Sequence, residues 1–128
     1  MIREVLTKYA TPFVALFLLM ACNHLAPVNN AAESISPPAA SADAVQKAIL
    51  KAGAAQNWQM KVVAPGKIEG TLFIRVHKAV VDITYDAKSF NIKYKDSSQL
   101  QYDGTNIHRN YNQWIDDLIK QIRINLVA

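Results

Sequence analysis

A hydroxyl nucleophile with a histidine and an acid is the most reactive group of side chains that this sequence offers. Ser97 or Ser98 would supply the hydroxyl, His108 the base and Asp103 the acid. No strand–turn–helix elbow surrounds either serine, so we predict that the chain is not an enzyme. The alternative is a hydrolase or small-ligand binder that uses a polar site of Ser97, Ser98, Tyr102 and His108.

Metal binding requires several closely spaced ligands, and the sequence does not provide them. Only His77 and His108 lie in the region after residue 41, and neither has a second ligand at short spacing. We therefore predict no metal and no cofactor. His77 is expected to be a turn residue.

Cys22 is the only cysteine of the chain. It follows an apolar run from Phe13 to Ala21, and Arg3 and Lys8 precede that run. The run has the length of a signal-peptide core and is far shorter than the roughly 20 apolar residues of a spanning helix. Leu19-Met20-Ala21-Cys22 resembles a bacterial lipobox, in which the cysteine is acylated and becomes the new N-terminus.

This resemblance implies a lipoprotein signal peptide over residues 1–21 and an acylated Cys22. Met20 departs from the pattern, because that position usually holds a small residue. Asn23 takes the place of the Asp that retains many lipoproteins in the inner membrane, so the resemblance implies the periplasmic face of the outer membrane. A soluble secreted protein and an uncleaved anchor are the other possibilities.

The sequence of residues 22–41 predicts an acylated cysteine followed by a flexible tether. The segment contains Pro27, Pro37 and Pro38, carries one charge at Glu33, and has no apolar periodicity. Such a composition buries too little apolar surface to offset the entropy of an ordered chain.

The charge balance excludes one class of partner. Cleavage of the leader would remove Arg3, Lys8 and Glu4, and the net charge would fall from +4 to +3. This excess is too small to indicate nucleic-acid binding, and an envelope location also argues against it.

Residues 42–128 predict a single α+β domain with one core. Ser41 is suited to cap a first helix, Asp43 lies in its first turn, and Gly53 is suited to end it. Four β-rich segments follow, with connections too short for crossovers: Trp58–Val62, Ile68–Arg75, Lys78–Tyr85 and Phe90–Lys95. We predict a four-stranded antiparallel meander, with an N-terminal and a C-terminal helix packed on one face.

The turns set the register of this meander. A turn at Ala87-Lys88 would place Asp82 opposite Lys93 as a weak cross-strand ion pair on the solvent face. A turn at Val76-His77 would set the preceding hairpin.

The first strand leaves two orientations open. A strict two-residue turn at Pro65-Gly66 would place Trp58, Met60, Phe73 and Val80 together on the otherwise polar face, as a candidate interaction patch. One extra loop residue would instead direct Trp58 and Met60 into the core. We favour the core orientation, because an exposed patch of this kind is unfavourable in a monomer.

The last segment predicts the C-terminal helix. Asn110 is suited to cap it, with Gln113 reaching back, and His108 is expected to cap or pack at its start. A start near Thr105 or Asn106 is also possible. Apolar residues at helical spacing predict its buried stripe: Ile107, Tyr111, Trp114, Leu118 and Ile122.

The signature His-x-x-Tyr-Asn-x-Trp from His108 to Trp114 is the most specific motif of the domain. It occurs beside other characteristic runs: Arg75–Ala79, Val81–Tyr85, Ile92–Ser98 and Leu100–Tyr102. With these motifs the chain resembles a family of small proteobacterial lipoproteins. The resemblance supports lipid anchoring and the domain boundary, and it implies no activity, substrate or catalytic residue.

Together these patterns predict a lipoprotein held at the outer membrane by its lipid anchor. Its domain would be a non-catalytic interaction module, with an envelope protein or peptidoglycan as partner.

Overall fold

The computed structural model describes residues 24–128. Nine elements follow one another in this range: β1 (Leu25–Pro27), β2 (Ala31–Ser34), α1 (Ala42–Ala55), β3 (Trp58–Ala64), β4 (Lys67–Ile74), β5 (His77–Tyr85), β6 (Ser89–Ser98), β7 (Asn106–His108) and α2 (Arg109–Val127). A cis peptide bond joins Ser36 to Pro37.

The strands form two antiparallel sheets. The larger sheet has the order β2-β6-β5-β4-β3, and β1 pairs with β7 in a second, two-stranded sheet. The α+β class is therefore confirmed, and β3 to β6 form the predicted meander. The predicted strand number is wrong, because β2 adds a fifth strand beside β6 and β1 with β7 forms a separate pair.

The prediction of a flexible tether is wrong for residues 24–41. Leu25 lies opposite His108, Ala31 lies opposite Ile92, and the side chain of Ile35 is only 8% exposed. This segment has no apolar face of its own, but its backbone N–H and C=O groups pair with strands formed later in the chain. Backbone pairing does not require alternating apolar side chains, so the sequence of this segment shows no strand periodicity.

The two later hairpins differ in how well their turns were predicted. The turn at Ala87-Lys88 is confirmed, with Asp82 opposite Lys93. The preceding turn is at Arg75-Val76 and not at Val76-His77, so the register shifts by two residues and every side chain keeps its face. Arg75 adopts φ 56° in this turn.

A β-bulge decides the orientation of β3. The register shifts between Val62 and Ala64, so Trp58 lies opposite Leu72 with its side chain 4% exposed in the core. The favoured core orientation of Trp58 is confirmed. Met60 is half-buried on the same face, where a methyl group added to Gly70 would lie 3.0 Å from its sulfur atom.

The candidate patch of Trp58, Met60, Phe73 and Val80 does not form. Phe73 is 56% exposed on the outer face, and Val80, on that same face, is 7% exposed. The bulge places Trp58 and Met60 on the opposite side of the sheet from these two.

Both helices pack on the inner face of the larger sheet, as predicted. Ser41 Oγ accepts a hydrogen bond from Ala44 N at 3.1 Å and caps α1. The helix continues past Gly53 to Ala55, so the predicted end at Gly53 is wrong. Gly53 is buried against Met60, and Asn57 adopts the left-handed conformation after the helix, with φ 65°.

The core is formed by both helices and the inner face of the sheet. Fully buried side chains include Val45, Ile49, Ile68, Ile83, Phe90, Ile92, Ile107, Tyr111, Ile115, Leu118 and Ile122. The buried face of α2 uses Ile115 where the sequence predicted Trp114, which is half-buried beside it.

Candidate functional site

The predicted polar site does not assemble into a catalytic relay within residues 24–128. Ser97 Oγ is hydrogen-bonded to Tyr94 Oη at 2.6 Å, and His108 Nδ1 accepts from Asn110 N at 3.2 Å. Asp103 accepts hydrogen bonds from the backbone N–H groups of its own loop. Ser98 is exposed at the end of β6. Each group of the candidate triad is therefore engaged with a different neighbour.

In place of the predicted polar site, the structure contains a packed cluster of three tyrosine rings. The rings of Tyr94 and Tyr102 stack with centroids 3.9 Å apart, and the Tyr94 and Tyr111 rings meet edge to face at 5.8 Å. Tyr102 Oη donates to Gly104 O at 3.3 Å. The Tyr111 hydroxyl is buried with no hydrogen-bond partner in the described part of the chain, and burial raises its pKa well above the usual range. Tyr102 is therefore an aromatic packing residue.

All three histidines of the chain lie at one end of the sheet. The His24 and His108 ring centroids are 5.7 Å apart, and the His77 ring lies 6.3 Å from that of Trp114. His77 begins β5, and its Nδ1 donates to Gln99 O at 2.9 Å. We call this region, together with the Arg75-Val76 turn, the histidine end.

Backbone hydrogen bonds fix the histidine end. Arg109 N donates to His24 O at 2.9 Å, and His108 N donates to Leu100 O at 2.8 Å. His24 Nε2 is also hydrogen-bonded to Gln101 Oε1 at 2.7 Å. The first residues of the described chain are thus held against the start of α2 and the segment that follows β6.

The electrostatics of the histidine end favour neutral His108. Partial burial lowers its pKa, and the nearby charges of His24, His77 and Arg109 lower it further. A neutral ring is also what the cap requires, because Nδ1 must keep a free lone pair to accept from Asn110 N. His108 therefore caps α2, as predicted. The cap that the sequence assigned to Asn110 is wrong.

Asparagine side chains fasten the N-terminal segment to the rest of the domain. Asn112 Oδ1 accepts from Asn29 N at 2.9 Å, and its Nδ2 donates to Pro27 O at 2.9 Å. Asn30 Oδ1 accepts from Tyr94 N at 2.9 Å. Sequence reasoning missed these contacts. Asn29-Asn30 was the available signal, since asparagine commonly satisfies backbone groups outside regular structure.

The outer face of the sheet carries an ion-pair network. Lys95 Nζ lies 2.6 Å from Glu69 Oε2 and 3.8 Å from Asp82 Oδ1. The contact with Lys95 lowers the pKa of Glu69, and both carboxylates raise the pKa of Lys95. Asp82 thus pairs with Lys95, although Lys93 lies opposite it in the register. Surface pairs of this kind contribute little to stability.

A groove lies at the other end of α2. Arg123 donates to Ser34 O at 3.2 Å, lies 3.4 Å from Glu33 Oε1, and stands 5.8 Å from the centre of the Phe90 ring. Arg123 and Val127 line both of two hollows, of about 470 Å³ and 420 Å³. We call these hollows the Arg123 groove. Their lining is mostly apolar: Ile35, Pro37, Pro38, Ile119, Ile124, Leu126 and Val127.

No group of three or more histidine, cysteine, aspartate or glutamate side chains within residues 24–128 could hold a metal ion. No helix in the same range has both the length and the apolar character needed to cross a membrane. The predicted signal peptide and Cys22 lie outside the described residues.

Comparison with known families, curated proteins and solved structures gives no match. The resemblance to a lipoprotein family therefore stays a prediction from the sequence motifs. The described residues offer a rigid, capped histidine end and an open, mostly apolar groove. The histidine end carries basic and exposed apolar side chains. The Arg123 groove has apolar walls next to charged groups, which suits the binding of an apolar segment of another molecule.

Proposed function

We propose that this chain is a bacterial lipoprotein whose domain is a non-catalytic interaction module on the periplasmic face of the outer membrane. The observation that carries the proposal is Leu19-Met20-Ala21-Cys22 at the end of an apolar run of signal-peptide length. Asn23, in place of Asp, supports the outer over the inner membrane.

The binding surface that we propose for the partner is the Arg123 groove. Ile124 and Val127, three residues apart and therefore neighbours on the surface of α2, are 50% and 88% exposed. Glu33, Arg123 and Lys120 flank them with charges of both signs. An apolar surface bordered by charges suits an envelope protein better than the sugar chains of peptidoglycan.

The test of anchoring replaces Cys22 with Ala and follows the protein in fractionated cells. Wild-type protein should incorporate a fatty-acid label and sediment with outer membranes, whereas the Cys22→Ala variant should lose both properties. Asn23→Asp is the matched control, because it should keep the label and move the protein to the inner membrane. An unlabelled wild-type protein would refute the proposal.

The test of the binding surface places a photo-crosslinking residue at Ile124 or at Lys93, which is exposed on the outer face of the sheet. We expect a discrete protein adduct from position 124 and none from position 93. An adduct that muramidase digestion shortens would identify peptidoglycan instead. Adducts from position 93 alone would show that the polar face is the binding surface.

A further inference from the structure

The predicted anchor enters the folded domain at the histidine end. Only Asn23 lies between Cys22 and His24, and two residues of extended chain span at most about 7 Å. His24 O accepts from Arg109 N, and Leu25 already pairs with His108. An acyl group on Cys22 would therefore bring the histidine end to the lipid surface.

The same end exposes apolar side chains. Val76 is 73% exposed at the tip of the turn between β4 and β5, and Phe73 is 56% exposed next to it on the outer face. Leu25 is 37% exposed beside the point of entry. Leu25 adjoins the chain entry, and Val76 precedes His77, whose charge acts on His108 next to that entry.

Basic side chains accompany these apolar groups. Arg75 and Arg109 are exposed, and Lys78 is half-buried opposite Ser98. Along the outer face the first carboxylate is that of Asp96, two register positions further into the sheet. Asp103, on the neighbouring loop, keeps its negative charge and accepts hydrogen bonds from the N–H groups of Thr105 and Asn106, but the basic side chains outnumber it. A surface of exposed apolar groups and cations is what a protein presents to anionic phospholipids.

We propose that the histidine end is a membrane-contact surface, seated on the anionic phospholipid headgroups of the leaflet that holds the acyl chains. This inference rests on the proposed acylation of Cys22. The domain then stands with α2 directed away from the bilayer. Arg109 and Arg123 lie roughly 21 Å apart along α2, from the rise per residue of a helix, so the Arg123 groove faces the periplasm.

The experiment uses the acylated protein, which begins at Cys22, in vesicles of phosphatidylethanolamine and phosphatidylglycerol. Acylated Cys22 has no free thiol, so Val76→Cys or Ile124→Cys gives one site for an environment-sensitive fluorophore. Phospholipids with a spin label near the headgroup should quench the fluorophore at position 76 several-fold more than the one at position 124. Equal quenching, or stronger quenching at position 124, would overturn the proposed orientation.

A pair of charge variants tests the role of the cations. Arg75→Gln combined with Arg109→Gln should weaken quenching at position 76, because each basic residue near an anionic surface changes the affinity roughly five-fold. Lys67→Gln combined with Lys88→Gln is the matched control and should leave the quenching unchanged, because Lys67 begins β4 and Lys88 lies in a turn, both at the other end of the sheet. An equal loss of quenching in both double variants would show that only the net charge matters, and would refute a specific contact surface.

The mass and thiol reactivity of the purified protein separate this inference from the proposed function. A protein that lacks acyl chains and keeps a reactive Cys22 would overturn both. An acylated protein whose position 76 stays unquenched would leave the lipoprotein proposal intact and overturn the membrane-contact surface alone.

Discussion

The histidine end and the Arg123 groove lie at opposite ends of α2 and are held together by different interactions. At the histidine end, β1 pairs with β7, backbone groups bond the chain entry to α2, and aromatic rings stack beneath. At the groove, one partly exposed arginine makes most of the polar contacts, and the side chains of Ile124 and Val127 beside it stay exposed. The first region is fixed by backbone pairing within its own chain, whereas the second is held mainly by the side chain of Arg123.

Because they are held in different ways, the two ends are suited to different kinds of contact. A region fixed by backbone partners holds its surface in one orientation, which suits a fixed contact with a membrane. A groove whose walls are exposed apolar side chains gains most when another molecule covers it.

Tyr111→Ala should destabilise the domain most, by about 3–5 kcal/mol, the loss for removing a buried large aromatic. Tyr111 supports the aromatic cluster beneath the histidine end. Tyr111→Phe is the control and should raise the free energy of unfolding by up to about 1 kcal/mol, because it removes a buried hydroxyl that has no partner among the described residues. Chemical denaturation measures both. Destabilisation by Tyr111→Phe would mean that the hydroxyl is hydrogen-bonded.

Asn112→Ala should cost about 1–3 kcal/mol, because it leaves Asn29 N and Pro27 O without their partner. Amide hydrogen exchange should speed up in β1 and stay unchanged around the groove. Gln113→Ala is the matched control, since Gln113 bonds only within α2 to Asp117, and its loss should be a few tenths of a kcal/mol. Similar losses for the two variants would contradict a fastening role for Asn112.

Acidification should weaken the histidine end over a window that opens at about pH 6.5 and extends downwards. The pKa of folded His108 is lower than that of the unfolded chain, so its contribution is present above the usual value of about 6.5 and is lost as the pH falls. His24, His77 and Arg109 face the ring and add repulsion once it is protonated.

The variant His108→Asn keeps a capping group that does not titrate, so its melting temperature should depend less on pH in this window. Carboxylates with lowered pKa values, such as those of Glu69 and Asp86, act only below about pH 4.5 and do not interfere. An unchanged pH dependence in His108→Asn would assign the effect to another group.

Arg123→Gln should have the smallest effect on folding, about 1 kcal/mol or less, because its ion pair with Glu33 is partly exposed. It should, however, reduce the adduct formed from position 124. Lys47→Gln, which removes an exposed ion pair with Asp43 outside the groove, is the control and should leave the adduct unchanged. A large loss of stability in Arg123→Gln would show that this end is also fastened by its own chain.

Local patterns predicted the meander, because its strands alternate and its turns are short. The Ala87-Lys88 turn and both helices on one face follow from sequence spacing alone. The orientation of Trp58 could only be stated as a preference, since a single extra residue at Val63 decides it.

The parts that sequence reasoning missed depend on distant contacts. β1 and β2 have no periodicity of their own and are strands only because β7 and β6 offer unpaired edges. The sequence predicted separate roles for His77 and His108. They lie near His24 only because three separate segments of the chain meet in the fold. The Arg123 groove likewise joins β2, the segment after it and the last turns of α2, which no local pattern connects.

The bulge in β3 has a consequence for the behaviour of many copies of the protein. β3 is an outer strand of the larger sheet, and a regular outer strand offers a template on which a second molecule can add its own strand. The irregular step between Val62 and Ala64 interrupts that template, while Lys61 puts a charge beside it and Pro65 follows at its end. Val63, the extra residue that directs Trp58 into the core, therefore also disfavours edge-to-edge aggregation of the sheet.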